Sequence, residues 1–253
     1  EPRDAYRFRP VTSYRRFPND QTDGDNPPVG TPINYWLAEG SMQGATLQVT
    51  DGSGRTIRSM RGPAEAGINR AWWNLRDDPS TAVLLRTKPL YADWYDLGSK
   101  RRRSGGGGLS MLVPPGVYTV TLEVDGETHS QQLRVLKDPN SSGTEADIRT
   151  QLALFSEIRA DHEEAAGMVN RIEWARRQLY DLNAVLEERA GASDILTASA
   201  ELDEKLMGAE AEMVQLLNAG SDGTRWAPEL IQELNYLAGN VMNGDFRPTD
   251  QAQ

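Results

Sequence analysis

From Ile33 to about Leu136 apolar and polar residues alternate in short runs with a period of two. The runs INYWL, ATLQVTD, RTIRSM, INRAWWNL, GVYTVTLEV and THSQQLRV are rich in β-branched and aromatic residues, and glycine, proline and aspartate bound them. Asp51-Gly52-Ser53-Gly54 and Asp125-Gly126 fall where hairpins turn, because glycine takes positive φ at little cost. In GVYTVTLEV the residues Tyr118, Val120, Leu122 and Val124 form a dry face, and Val117, Thr119, Thr121 and Glu123 a wet one. Six such strands, joined mostly by tight turns, predict an antiparallel immunoglobulin-like β-sandwich over residues 33–138.

Beyond KDPNSSG the period changes to 3.6. Thr144 and Asp147 form a start like a capping box, with aspartate in the usual glutamate position. Ile148, Leu152, Phe155, Val169, Ile172, Leu179, Leu182 and Leu186 recur at helical spacing, so one helix runs to about Glu188, with Gly167 a weak point inside it. A second helix spans Ser193 to about Asn218. A third begins at Ala227-Pro228 and ends before Gly244. Short connections make neighbouring helices antiparallel, which predicts a helical hairpin or three-helix module over 144–244 and a tail at 245–253. The fold class is α+β.

Two segments break these patterns. Residues 1–32 carry prolines at 2, 10, 18, 27, 28 and 32, and read as an extended arm that is neither helix nor regular strand. Its Tyr6, Arg7, Phe8, Arg9, Tyr14, Arg15, Arg16 and Phe17 alternate cation with aromatic ring, a composition that calls for docking on the chain's own domain or on a neighbour. The second is an insertion over 77–115 containing YADWYDLGSKRRRSGGGG. Loops of that length usually serve a function, so Trp94, Tyr95, Arg101, Arg102 and Arg103 are further candidate partner contacts.

Charge changes the picture. A net charge of −10 argues against a general nucleic-acid binder, which needs a positive field to displace counterions. The excess acid lies mainly in the helical part, while the arm and Arg101 to Arg103 are basic, and separated patches orient a protein on a large partner. With no cysteine there is no disulfide framework or thiolate nucleophile. No apolar run is long enough for a membrane span. The sequence opens at Glu1 rather than at a methionine, as expected of a processed chain or a piece of a longer one.

The chemistry is sparse. No HExxH, GxSxG, Walker-type or GxGxxG spacing is present. His162, near the apolar stripe, and His129, on a strand, read as packed histidines. DQTDGDN at Asp20 to Asn26 offers oxygen ligands but not the order of a calcium loop, and reads as a solvated turn. Asn140 in NSS fits a short glycosylation sequon. The acid pairs Glu163-Glu164 and Glu187-Glu188 read as solvated helix surface. No cofactor, metal or catalytic residue is assigned.

GINRAWWNLRDDP raises a question of its own, because Trp72 and Trp73 on a strand point to opposite faces. One fills a core and the other lies outside, to be covered by the arm, the long helix or a partner, and Trp73 is taken as the partner-contact candidate. NPPVGTPINYWL, then ATLQVTDGSGRTIRSMRGPAEAGINRAWWNLRDDP, then PPGVYTVTLEVDGETHSQQLRVLKDP resembles the C-terminal region of bacterial secreted proteins that carry sortilin-like (VPS10-type) β-propellers with BNR repeats, often labelled glycosyl-hydrolase-like. The central segment also resembles the immunoglobulin-like module of flagellar hook-capping proteins. SDGTRW at Ser221 is similar to the Asp-box of such propellers, but its spacing differs and it reads as a helix connector. The resemblance implies an extracytoplasmic accessory module and brings no active site.

The expectation is therefore a non-catalytic interaction or scaffold subunit, docked on a larger assembly at the outer face of a membrane. A bacterial photosynthetic reaction centre with its antenna is one concrete example. The rival expectation is an accessory, carbohydrate-binding region of a secreted propeller hydrolase, with Trp94 and Tyr95 as its aromatic platform.

Overall fold

A computed structural model describes residues 5–15, 29–88, 90, 107–217 and 226–252. The chain is α+β and divides into two compact units. The first comprises residues 1–78, 110–154 and 241–253, and the second residues 79–109 and 155–240.

Among the described residues the first unit holds eight strands: β1 (Ala5–Arg7), β2 (Ser13–Arg15), β3 (Thr31–Leu37), β4 (Ala45–Thr50), β5 (Thr56–Gly62), β6 (Gly67–Trp73), β7 (Gly116–Val124) and β8 (Glu127–Lys137). They form a three-stranded sheet, β1-β3-β6, and a five-stranded sheet, β2-β8-β7-β4-β5. The six expected runs are all strands. Asp125 and Gly126 both have positive φ, the form that lets a two-residue turn follow the twist of the β7–β8 hairpin. The dry face of β7 is as expected, with Tyr118, Val120, Leu122 and Val124 buried.

The N-terminal arm differs from expectation. It is not free of regular structure, because β1 pairs antiparallel with β3 and β2 pairs parallel with β8, which makes the larger sheet mixed. Strand edges supply the hydrogen-bond partners that the arm's own proline-rich sequence lacks. Arg15, at the end of β2, is completely buried. It forms an ion pair with Asp245, donates from Nε to Val113 O at 3.2 Å and from Nη2 to Gln151 Oε1 at 3.1 Å. Asp245 is thus part of the buried interior, where a tail was expected. Gly143 makes room for it, since a side chain there would collide with the Asp245 carbonyl.

Register decides the tryptophan pair. Opposite Thr31, Ile33 and Tyr35 of β3 stand Trp73, Ala71 and Asn69, and this set faces inward. Trp73 is 1% exposed, meets Tyr118 of the other sheet edge-on at 5.7 Å, and donates its indole N–H to Arg76 O at 2.9 Å. The outward place expected for Trp73 belongs to Trp72, which is 40% exposed and donates to Val29 O at 2.9 Å. Tyr35 reaches across to Pro63 O, and only a glycine at position 62 leaves its hydroxyl room.

Helix α1 (Glu145–Leu186) begins in the first unit and continues in the second. Its start is the reciprocal cap expected: Asp147 N–H donates to Thr144 Oγ1 at 3.1 Å and Thr144 N–H to Asp147 Oδ2 at 2.9 Å. The second unit adds α2 (Ser193–Ala211) and α3 (Leu230–Val241). Helix α2 stops short of Asn218 because the chain turns to bury Val214 and Leu216.

The helical unit also takes in part of the expected insertion. Residues 80–87 lie extended along α1, and the helix side chains satisfy their backbone. Thr81 N–H donates to Glu163 at 2.7 Å and Leu84 N–H to Asn170 Oδ1 at 2.8 Å, while Asn170 donates back to Ala82 O at 3.0 Å. Thr87 N–H donates to Glu173 at 2.8 Å, and Arg86 N–H to the same carboxyl oxygen. The spacings match: seven helix residues from 163 to 170 rise about 10.5 Å, and three extended residues from 81 to 84 span about 10 Å. Between these anchors Val83 and Leu85 enter a core with Ala165, Ala166, Val169, Val214, Leu216 and Ile231.

Replacing Trp73 with alanine should cost about 3–5 kcal/mol of stability, because a buried ring and its cavity are both involved. Trp72→Ala should cost about 1 kcal/mol or less. Urea unfolding midpoints check the inequality, and equal losses would contradict the register.

Candidate functional site

The expected partner contacts do not gather in one place. Tyr6 and Arg7 lie on β1 opposite Trp36 and Tyr35. Phe8, Arg9 and Tyr14 are exposed, whereas Arg15 and Trp73 are buried within their own unit and are corrected as surface candidates. Arg16, Phe17, Trp94, Tyr95, Arg101, Arg102 and Arg103 lie outside the described residues, as do Asp20 to Asn26 and Ser221. On the outer face of β1-β3-β6 the register sets Trp36 opposite Ile68, Asn34 opposite Arg70 and Pro32 opposite Trp72. Arg70 Nε donates to Asn34 Oδ1 at 2.8 Å, which holds the guanidinium between the two apolar positions. Ile68 is 76% exposed.

The helical unit contains a second feature that the apolar pattern concealed. The buried stripe of α1 passes through His162, Ala166, Val169, Glu173 and Arg176, so charged residues occupy core positions, while Leu182 is exposed. The alternating spacing of four and three through these residues was the signal available in the sequence. Glu173 and Glu210 are both fully buried. Arg176 lies between them, with Nη1 donating to Glu210 Oε2 at 2.7 Å and standing 3.7 Å from Glu173 Oε1, while its Nε donates to Asp203 at 2.9 Å. Thr87 Oγ1 donates to Glu173 at 2.6 Å.

Two buried carboxyls facing one guanidinium cannot both be neutralised by it. Burial pushes the Glu210 carboxyl up to about 8, and the adjacent Glu173 adds to the shift against the opposing effect of Arg176. The shift favours the protonated form of Glu210. Beside this cluster is a cavity of about 440 Å³ whose lining includes Arg86, Leu90, Tyr180, Asn183, Asp203 and Met207. Arg86 stacks over Trp174 at 4.3 Å. Apolar walls with a charged rim suit an amphiphilic side chain or ligand. Glu210 does not line this cavity and is sealed from it.

His162 is buried, as expected, and burial lowers its pKa against the opposing effect of Glu163. Asn235 Nδ2 donates to Ile231 O at 2.8 Å and lies 3.3 Å from His162 Nε2, a geometry that suits an accepting Nε2 and a proton on Nδ1. That nitrogen faces Ser80 Oγ at 3.3 Å, and Ser80 Oγ also accepts from Leu109 N–H at 2.8 Å. Ser80 and His162 brace the start of the extended segment. Among the described residues no three His, Asp or Glu side chains are placed to hold a metal, and no helix is long and apolar enough to cross a membrane. Comparison with protein-family models, curated proteins and solved structures finds no match for this chain.

The folded Glu210 value lies above the ordinary carboxyl value of 4.5, so the native state holds an extra proton and stability falls as pH rises from about 4.5 to 8. His162 acts in the opposite sense, its contribution being lost as pH falls below the ordinary histidine value of 6.5. Between about pH 6.5 and 8 wild-type protein should lose about 1–2 kcal/mol. Glu210→Gln, which does not titrate, should flatten that slope. Thermal melts across the range check this, and an unchanged slope in the variant would refute the assignment.

Proposed function

We propose that this chain is a non-catalytic interaction subunit that docks on a larger protein assembly on the extracytoplasmic side of a bacterial membrane and stabilises it. The observation that carries this reading is the outer face of β1-β3-β6, where Phe8, Ile68 and Trp72 stand in solvent around Arg70. An exposed aromatic and aliphatic group with a positioned arginine has the composition of an interface centre. Polar side chains of α1 support it from the other side, since His162, Glu163, Asn170 and Glu173 hold backbone or neighbouring side chains. The two sheets and the Trp73–Tyr118 contact support reading the first unit as an immunoglobulin-like sandwich. Kinship with the C-terminal region of sortilin-like secreted proteins, and with it the extracytoplasmic location, rests on the sequence resemblance.

A second reading has one specific observation in its favour. Trp36 and Trp72 flank the Arg70–Asn34 pair on a sheet face, an arrangement that also suits stacking on a sugar ring. In that case the chain is the carbohydrate-binding accessory region of a secreted hydrolase, and a glycan array separates the two.

Purification of the tagged chain from its native membranes at physiological salt should yield a complex of several subunits. A photosynthetic reaction centre with its antenna is a concrete assembly on which to try this. Trp72→Ala should lower recovery of the complex at least tenfold while the chain itself stays folded. Recovery of a lone monomer under the same conditions would overturn the proposal.

A further inference from the structure

The two sheets have four edge strands, and three of them are protected. Strands β1 and β2 are three residues each, too short to template another chain. Strand β5 is capped by Asp78, whose N–H donates to Ile57 O at 2.9 Å and whose carboxylate accepts from Ser59 N–H at 3.2 Å. Strand β6 is different. It runs seven residues and pairs with β3 on one side only. Among the described residues none pairs with a backbone group of Ile68 to Trp73 on the other side. It contains no proline, lysine or bulge of the kind that blunts an edge.

We propose that β6 receives an extended segment of a partner protein as an additional antiparallel strand, with an acidic side chain opposite Arg70 and apolar side chains opposite Ile68 and Trp72. This deepens the reading of the chain as an interaction subunit and rests on it. Residues directly opposite in an antiparallel pair share a face, so the exposed sequence of β6 dictates what its partner presents. Arg70 is the one charge on that face of β6, and Asn34 holds it in place, so an opposed carboxylate gains a fixed cation. A second copy of this chain is a poorer occupant, because symmetric pairing centred on this residue sets two arginines against each other. Backbone hydrogen bonds supply affinity in this mode of recognition, and the alternate side chains supply selectivity.

The probe is a capped seven-residue peptide alternating threonine with valine, glutamate and valine, compared by fluorescence anisotropy with the same peptide carrying lysine in place of glutamate. The glutamate peptide should bind at least fivefold more tightly, Arg70→Glu should reverse the preference, and the amides of β6 should gain protection from hydrogen exchange. Equal binding of both peptides, protection confined to other strands, or a dimer of the chain alone that buries β6 would each overturn the proposal. Purification of the native complex tests whether a partner exists. The peptide experiment tests the edge, so the two failures are distinguishable.

Discussion

An extended segment with buried neighbours must find partners for its peptide groups, and in the helical unit those partners are side chains of one helix. A buried N–H or C=O left alone costs about 1–3 kcal/mol. Among the described residues no named strand pairs with residues 80–87, yet Val83 and Leu85 are fully buried. Glu163, Asn170 and Glu173 do for this segment what a second strand does in a sheet. The requirement propagates. Because Glu173 is fixed on Thr87 and Arg86, it is buried, and a buried carboxyl brings Arg176. Arg176 then brings Glu210 and Asp203 from α2. Much of the polar interior of the unit follows from the need to hydrogen-bond one stretch of chain.

The first unit meets a related constraint with a single cation. Arg15 gathers a strand, a loop carbonyl, the first turns of α1 and the residues after α3 around one guanidinium. Gln151 completes the set by donating to Val241 O at 2.6 Å and to Gly244 O. Buried ion pairs of this kind add less to net stability than their Coulomb energy implies, because both charges are desolvated. Their consequence is geometric: one guanidinium ties these four segments together. That is why a chain terminus with the composition of a tail is ordered against the sheet.

Function enters through what these demands leave over. Among the described residues His162, Glu163, Glu173 and Arg176 hold backbone or neighbouring side chains. The groups that remain in water on the smaller sheet are flat or branched and apolar, arranged about a fixed guanidinium, beside a strand whose hydrogen bonds are half used. Those are the ingredients of recognition by strand addition, in which affinity comes from the backbone and selectivity from alternate side chains.

The local elements were legible in the sequence because they obey local rules. The six β runs, the Asp125-Gly126 turn and the Thr144–Asp147 cap follow from period, turn chemistry and capping, which depend on residues a few positions apart. That only one of Trp72 and Trp73 could enter the core also followed from strand geometry. Which one did so was a matter of register against β3 and of the space beside Tyr118, set by residues some forty positions away in each direction. The same holds for the arm, whose short strands exist because β3 and β8 offer them edges, and for Arg15, which reads as a surface cation until Asp245 and Gln151 close on it. Glu210 carries no local sign of its raised pKa, since the shift arises from burial and from Glu173 on another helix. Sequence by itself determined the elements and the alternation of their faces. Tertiary structure decided which face, which charge and which edge remained in water, because those depend on what packs against them.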